Sequence, residues 1–301
     1  MVNTPFILCE VCGLRIDFND ENESSHQDQS SMARMAYMSQ GFKIFRCPHC
    51  GLLWTQTNNE LDPQTIYDHA YFQGGKPDGY DDYLGSESLL KVEARQRLEL
   101  VRSYRAYGKL LDIGCATGVF LQEGQKTFSV QGIDISPFAV EVAKSKGLDV
   151  ECCDLENSTN ISPPYDVISL FDTIEHLQHP ANTLRKVSSL MENEGMLFIT
   201  TGDTGSLFAR ISGKNWRLLT PPQHLWFFNR RNLSQLLDRA GFRVLRIFAA
   251  WRKVPVSLMW YQFFRGKVRP LAGILGKRVL PINLFDNMTV IATKKEGLII
   301  D

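Results

Sequence analysis

From Lys109 to Lys294 the chain alternates short apolar runs with amphipathic ones, and this alternation constrains the fold more than any other feature. KLLDI reads as a buried strand that runs through a glycine turn into the helix VFLQEGQKT. VQGIDI is a strand, and PFAVEVAKSKG is a helix with proline in its first turn and glycine at its end. LDVECCD and YDVISLFD are further strands, ANTLRKVSSLMENEG a helix and MLFITT a strand. RNLSQLLDRAG is a helix ending at Gly241, and FRVLRIFAA and MTVIATKK are the last strands. Strands alternating with helices predict an α/β, doubly wound, mostly parallel sheet.

Three zones follow along the 301 residues: 1–60, a connector over 61–108 containing the helical stretch SESLLKVEARQRLELVRSY, and the α/β domain over 109–301. That domain has insertions at about 203–230 and 251–286. The first zone carries Cys9-Glu-Val-Cys12-Gly and Cys47-Pro-His-Cys50-Gly. Each C-x-x-C-G places two sulfurs on one tight turn, and the glycine lets the backbone fold under them. Four thiolates suit tetrahedral zinc, so Cys9, Cys12, Cys47 and Cys50 are expected to hold a structural Zn2+ in a small N-terminal zinc ribbon. His26 and His49 are alternative ligands. A redox dithiol needs only one pair. Cys115, Cys152 and Cys153 lie in apolar stretches, which favours metal plus free thiols over a disulfide framework.

No run of about 18 apolar residues occurs, and the start MVNTPFILCEVC has neither a basic nor a long apolar stretch; a cytoplasmic protein is expected. Formal net charge is +0, yet twelve Lys or Arg stand against one acid between Arg230 and Pro281, while Asp17–Asp28 is acidic. The basic region fits an anionic partner. Within it, WRKVPVSLMWYQFFRGKVRPLAGILGKR (251–278) interleaves basic and aromatic residues, as a segment lying on an anionic membrane does; a helical cap over the site is the plainer reading.

KLLDI leads into Gly114-Cys115-Ala116-Thr117-Gly118, where glycines let backbone approach a ligand at a helix N-terminus. The second strand ends in Asp134, about twenty residues on, at the spacing where a carboxylate accepts ribose hydroxyls. Asp154, ending the third, faces an adenine amino group. The loop is not G-x-G-x-x-G, and Asp112 precedes it. An acid there repels a pyrophosphate but suits a cationic sulfonium with an α-amino group. The electrostatics favour S-adenosylmethionine over a dinucleotide.

LLDIGCATGVFL, GIDISPFAVEVA, YDVISLFDTIEHLQHP and GMLFITT resemble the successive motifs of class I S-adenosylmethionine-dependent methyltransferases, over roughly Leu110 to Lys294. The resemblance implies a seven-stranded Rossmann-like sheet. It also implies that Asp112, Gly114 and Gly118, with Ala116 in place of the usual glycine, hold the methionine and sugar. Asp134 takes the ribose, with Ile135 beside the adenine; Asp154 and Leu155 form the adenine-side pair; Phe171 and Asp172 lie near the methyl group and methionine tail.

Methyl transfer is a displacement, in which alignment and water exclusion dominate and a base is needed only if the acceptor must lose a proton. The amino-methylating Asp/Asn-Pro-Pro-Tyr/Phe pattern is absent after the fourth strand. Asp172, Glu175 and His176 stand there instead, and His224 lies in LLTPPQHLWFF, where such folds cover the acceptor pocket. His176, His224 and Asp172 are therefore the candidates for chemistry. Trp216, Trp226, Phe227 and Phe228 line the pocket or pack on the sheet, and Tyr71, Tyr80 and Tyr83 are candidates to close over the cofactor.

The zinc module, the YDHAYF connector and the segment from SLFARISGKNW to HLWFF resemble methyltransferases of glycan, nucleotide-sugar and secondary-metabolite pathways. The similar sugar C-methyltransferases carry a further C-terminal domain that does not follow here. The expectation is O- or C-methylation of an anionic small molecule or glycan (a sugar, nucleotide-sugar or lipid-linked glycan), with O-methylation favoured. RNA is a second reading, opposed by the acidic zinc module and the neutral chain. A non-catalytic interaction subunit is a third, opposed by the intact cofactor motifs.

Overall fold

The computed structural model describes residues 6–17, 32–57, 66, 72, 87–249, 252–255, 279–282 and 285–295. The connector tyrosines 71, 80 and 83, His26 and nearly all of 251–278 lie outside them.

A seven-stranded sheet forms the body. Its strands are β6 (Gly108–Ile113), β7 (Phe128–Asp134), β8 (Val150–Cys152), β9 (Tyr165–Phe171), β10 (Met191–Gly202), β12 (Phe242–Phe248) and β15 (Asn287–Lys294). Their order is β12-β15-β10-β9-β6-β7-β8, and only β15 runs antiparallel to its neighbours. The expected doubly wound Rossmann-like methyltransferase sheet is present. Helices α2 (Val119–Gly124), α3 (Pro137–Ser145), α4 (Pro180–Leu190) and α6 (Arg230–Arg239) connect the strands. Ser136 and Asn229 cap α3 and α6 by accepting backbone N–H groups.

α1 (Glu87–Tyr104) buries Ala94, Leu98 and Val101, at helical spacing, against Leu110, Val119, Phe120 and Leu121. This helix carries the connector onto the sheet.

Two boundaries differ from expectation. The helix read through MENEG stops at Leu190, because Met191 already pairs with Tyr165 of β9; an irregularity between Met191 and Met196 absorbs the polar residues, which stay exposed. The strand read over LDVECCD is only three residues long, and Cys152 is exposed rather than set in an apolar interior.

The N-terminal region forms a ribbon, β1 (Phe6–Leu8) and β2 (Arg15–Asp17), and a sheet of β3 (Arg34–Ser39), β4 (Phe42–Arg46) and β5 (Leu53–Thr55). That sheet gains a fourth strand from the α/β domain: β11 (Trp226–Phe227), just after His224, pairs antiparallel with β5. Ile44 and Leu53 pack with Trp216, Leu219 and Phe227 in one buried cluster. Polar as it is, the module therefore gains a core by docking rather than by folding alone. A short helix, α5 (Leu207–Ser212), precedes this junction, and β13 (Arg252–Pro255) and β14 (Val279–Ile282) pair antiparallel.

Candidate active site at the strand ends

The site is built on the turn after β6. Gly114, Ala116 and Gly118 all take left-handed backbone, with φ of 76°, 47° and 75°. A Cβ on Gly114 would lie 2.5 Å from Thr173 Oγ1, and one on Gly118 would run into Leu148. Positive φ and these close contacts both favour glycine at the two positions. Ala116 bears its Cβ in that conformation at a cost of roughly 1 kcal/mol. Asp172 is also left-handed (φ 55°), so strain is stored on both sides of the site.

Asp134 holds the turn in place. Its carboxylate accepts from the Ala116 N–H (2.7 Å) and the Ser136 N–H (2.9 Å), joining the end of β7 to the glycine loop. Burial raises its pKa from the ordinary carboxylate value, against the lowering effect of these backbone N–H groups. Ile135 stands beside it, half-buried. Asp112 is buried at the end of β6, with the Ser169 hydroxyl donating to it at 2.6 Å; burial pushes its pKa up to about 7. Asp154 is exposed, and both its oxygens accept from Asn157, capping a 3-10 turn that buries Leu155.

Phe171 ends β9 and Asp172 follows it. An arginine the sequence reading passed over joins them: Arg97 of α1 lies over the Phe171 ring (4.7 Å) and donates to Asp172 (2.6 Å) and Glu93 (2.7 Å). α1 also carries Arg95 and Arg102, and nothing in the chain order shows which arginine faces the strand ends. The strand ends thus bring together a buried acid, Asp112, and a half-buried ion pair, Arg97–Asp172.

Glu175 and His176 follow in a 3-10 turn, and the structure brings His224 to them. The two imidazoles meet edge to face, centroids 4.7 Å apart. His176 Nδ1 is 2.8 Å from the Gln223 carbonyl, and His224 Nδ1 is 2.8 Å from the Leu218 carbonyl. Burial lowers the pKa of both, His224 to about 3. The Leu225 N–H donates to the Glu175 carbonyl (2.9 Å), and the Thr55 hydroxyl of β5 donates to the His224 carbonyl (2.7 Å). The N-terminal module thus grips the histidine loop directly. Trp226 is half-buried, with its indole N–H donating to the Leu177 carbonyl, while Trp216, Phe227 and Phe228 are core residues.

The four cysteine sulfurs lie within 4.8 Å of one another, with Cys9–Cys50 at 3.5 Å and Cys12–Cys47 at 3.8 Å. Zn–S bonds of about 2.3 Å in a tetrahedron require S–S separations of about 3.8 Å. The two turns are alike. Gly13 and Gly51 are left-handed, and their N–H groups donate to the carbonyls of Cys9 and Cys47. Donor set and spacing fit zinc. His49 is exposed and outside the cluster.

A family model described as methyltransferase domain matches residues 88–247, more than half the chain. The chain belongs to this family. It is a class I S-adenosylmethionine-dependent methyltransferase domain by fold and motif order, as expected from the sequence. Curated relatives include ubiquinone biosynthesis O-methyltransferases of Coxiella burnetii (26% identical over 151 residues; 46% of this chain, 64% of the relative) and Aeromonas salmonicida (29% over 153; 46% and 64%). The chain thus spans less than two thirds of these relatives' length. Two solved structures share the methyltransferase fold, each with a TM-score of 0.50. One is a possible histamine N-methyltransferase of Thermotoga maritima (18% identical; 72% of this chain, 94% of that one). The other is the magnesium protoporphyrin IX methyltransferase of Synechocystis PCC 6803 (15%; 77% and 100%). Among the described residues no helix is long and apolar enough to cross a membrane.

Proposed function

We propose that this chain transfers the methyl group of S-adenosylmethionine to a hydroxyl of a small-molecule or glycan acceptor, with a structural zinc in its N-terminal module. The observation that carries the reading is the His176–His224 pair immediately beyond β9, where the methyl group emerges in a site of this kind. Asp134 takes the ribose hydroxyls, Ile135, Asp154 and Leu155 border the adenine, and Asp112 faces the α-ammonium. Arg97, released in part from Asp172, faces the methionine carboxylate. S-adenosylmethionine supplies an electrophilic methyl; the chain aligns it and excludes water. The acceptor hydroxyl lies against the two imidazoles. Curated relatives named as O-methyltransferases support the choice of oxygen. The basic region from Arg230 to Pro281 suits an anionic acceptor, such as a nucleotide-sugar or lipid-linked glycan. Membrane contact through 251–278 falls mostly outside the described residues; liposome pelleting that leaves the protein in the supernatant removes it.

Methyl-labelled S-adenosylmethionine and fractionated cell extract test the acceptor. Label is expected in the soluble sugar-nucleotide, lipid-linked or small-molecule fraction. Label in RNA overturns the reading, and absence of transfer with intact cofactor binding favours the interaction subunit.

The cofactor's affinity depends on pH. Asp112 is protonated below about 7 in the free protein, and an α-ammonium requires the carboxylate, so binding expels a proton at lower pH. Affinity is therefore expected to rise toward pH 7, by up to about tenfold per unit, and to level off above it. Without ligand the sign reverses: the free protein binds more protons than the unfolded chain, so its stability falls as pH rises toward 7. Calorimetry across this range checks the first sign, and a flat affinity contradicts it.

A further inference from the structure

We infer that Glu175, His176 and His224 form a second metal site, for a divalent cation of the manganese or iron type, distinct from the four-cysteine cluster; its place in the reaction rests on the methyl-transfer reading above. One ligand atom from each residue lies within 4.8 Å of the others. Two imidazoles and a carboxylate on one side of a cation leave open positions opposite, the pattern of sites that bind a substrate oxygen directly.

The second observation concerns the outer partners of the rings. Each Nδ1 lies 2.8 Å from a backbone carbonyl, His176 from Gln223 and His224 from Leu218. A carbonyl can only accept, so Nδ1 carries the proton in both rings and Nε2 keeps the lone pair. Metal-ligating histidines are oriented in this way. An edge-to-face packing of two imidazoles needs neither carbonyl anchor. Glu175 is buried (4% exposed), while both histidines are half-buried. Its backbone is fixed from two directions, by Leu225 N–H on the Glu175 carbonyl and by Thr55 on the His224 carbonyl.

The ligand types separate this site from the cysteine cluster. Thiolates select zinc, whereas carboxylate and imidazole accept harder cations. A cation here would ligate the acceptor hydroxyl oxygen, hold it at the end of β9 and acidify it.

Mn2+ is the probe. The zinc-loaded full chain is titrated with Mn2+ and the free-ion paramagnetic resonance signal is followed, with S-adenosylmethionine affinity measured in parallel. The expected result is one Mn2+ bound per chain, weakened about tenfold or more in both E175Q and H224Q, with zinc content and cofactor affinity unchanged. Where a variant fails to fold, anomalous diffraction from Mn2+-soaked wild-type crystals decides by the position of the peak. Unbound Mn2+ in the wild type, binding indifferent to both substitutions, or a peak elsewhere overturns the site. Loss of cofactor binding in the wild type instead sinks the methyl-transfer reading, and leaves the Mn2+ stoichiometry as an independent result.

Discussion

Asp134→Ala is expected to weaken S-adenosylmethionine binding by about 10- to 100-fold, the range for a charge-assisted hydrogen bond worth roughly 1.5–3 kcal/mol. Two losses combine. The ribose loses its acceptor, and the glycine turn loses the anchor that Asp134 provides to the Ala116 and Ser136 N–H groups. Asp134→Asn separates them: the amide oxygen can replace one of those acceptor contacts, so the variant is expected to fall between wild type and Asp134→Ala. Calorimetric titration of the three proteins checks this order, and unchanged affinity in Asp134→Ala contradicts the placement of the cofactor.

The second large effect is expected at a distance. Cys47→Ser removes one zinc ligand and should release the metal, since a three-thiolate remnant binds far more weakly. The consequence should not stop at the module. β5 pairs with β11 through Trp54–Trp226 and Leu53–Phe227, and Thr55 holds the His224 carbonyl. Freed from β5, the histidine loop loses its register, and a displacement of about 1 Å near a reaction centre costs about 100-fold in rate. Cofactor affinity should change little, because the Asp134 carboxylate and the backbone of Ile133 hold the glycine turn without help from the module. The checks are zinc content, hydrogen exchange at the Leu225 amide, label transfer into the acceptor fraction and the cofactor Kd. Zinc-free protein with full transfer would show that the module is only an appendage.

The contrast between these two sites shows what the amino-acid order makes legible. The strands, the glycine turn and Asp134 were readable because each is local: an apolar run, a turn that needs positive φ, an acid at a fixed spacing. The paired C-x-x-C-G turns were readable for the same reason, and the sulfurs meet as tetrahedral zinc requires. Long-range pairings were not. β11 is two residues long, with no periodicity to announce it, yet it joins the module to the α/β domain. Arg97 is one of several arginines on an amphipathic helix, and only the packing of Ala94, Leu98 and Val101 turns it toward Asp172. MENEG reads as helix from composition, but tertiary pairing of Met191 with Tyr165 takes it into the strand. His176 and His224 were each visible, whereas their edge-to-face contact depends on a loop that returns across 48 positions of sequence.

The most direct test of the central claim is a crystal structure of the full chain with S-adenosylmethionine or its demethylated product. The account predicts the ribose hydroxyls on Asp134, the α-ammonium facing Asp112, the carboxylate toward Arg97, and the sulfur directed past Asp172 at the His176–His224 pair. A cofactor bound elsewhere, or one whose sulfur points away from those histidines, would contradict it.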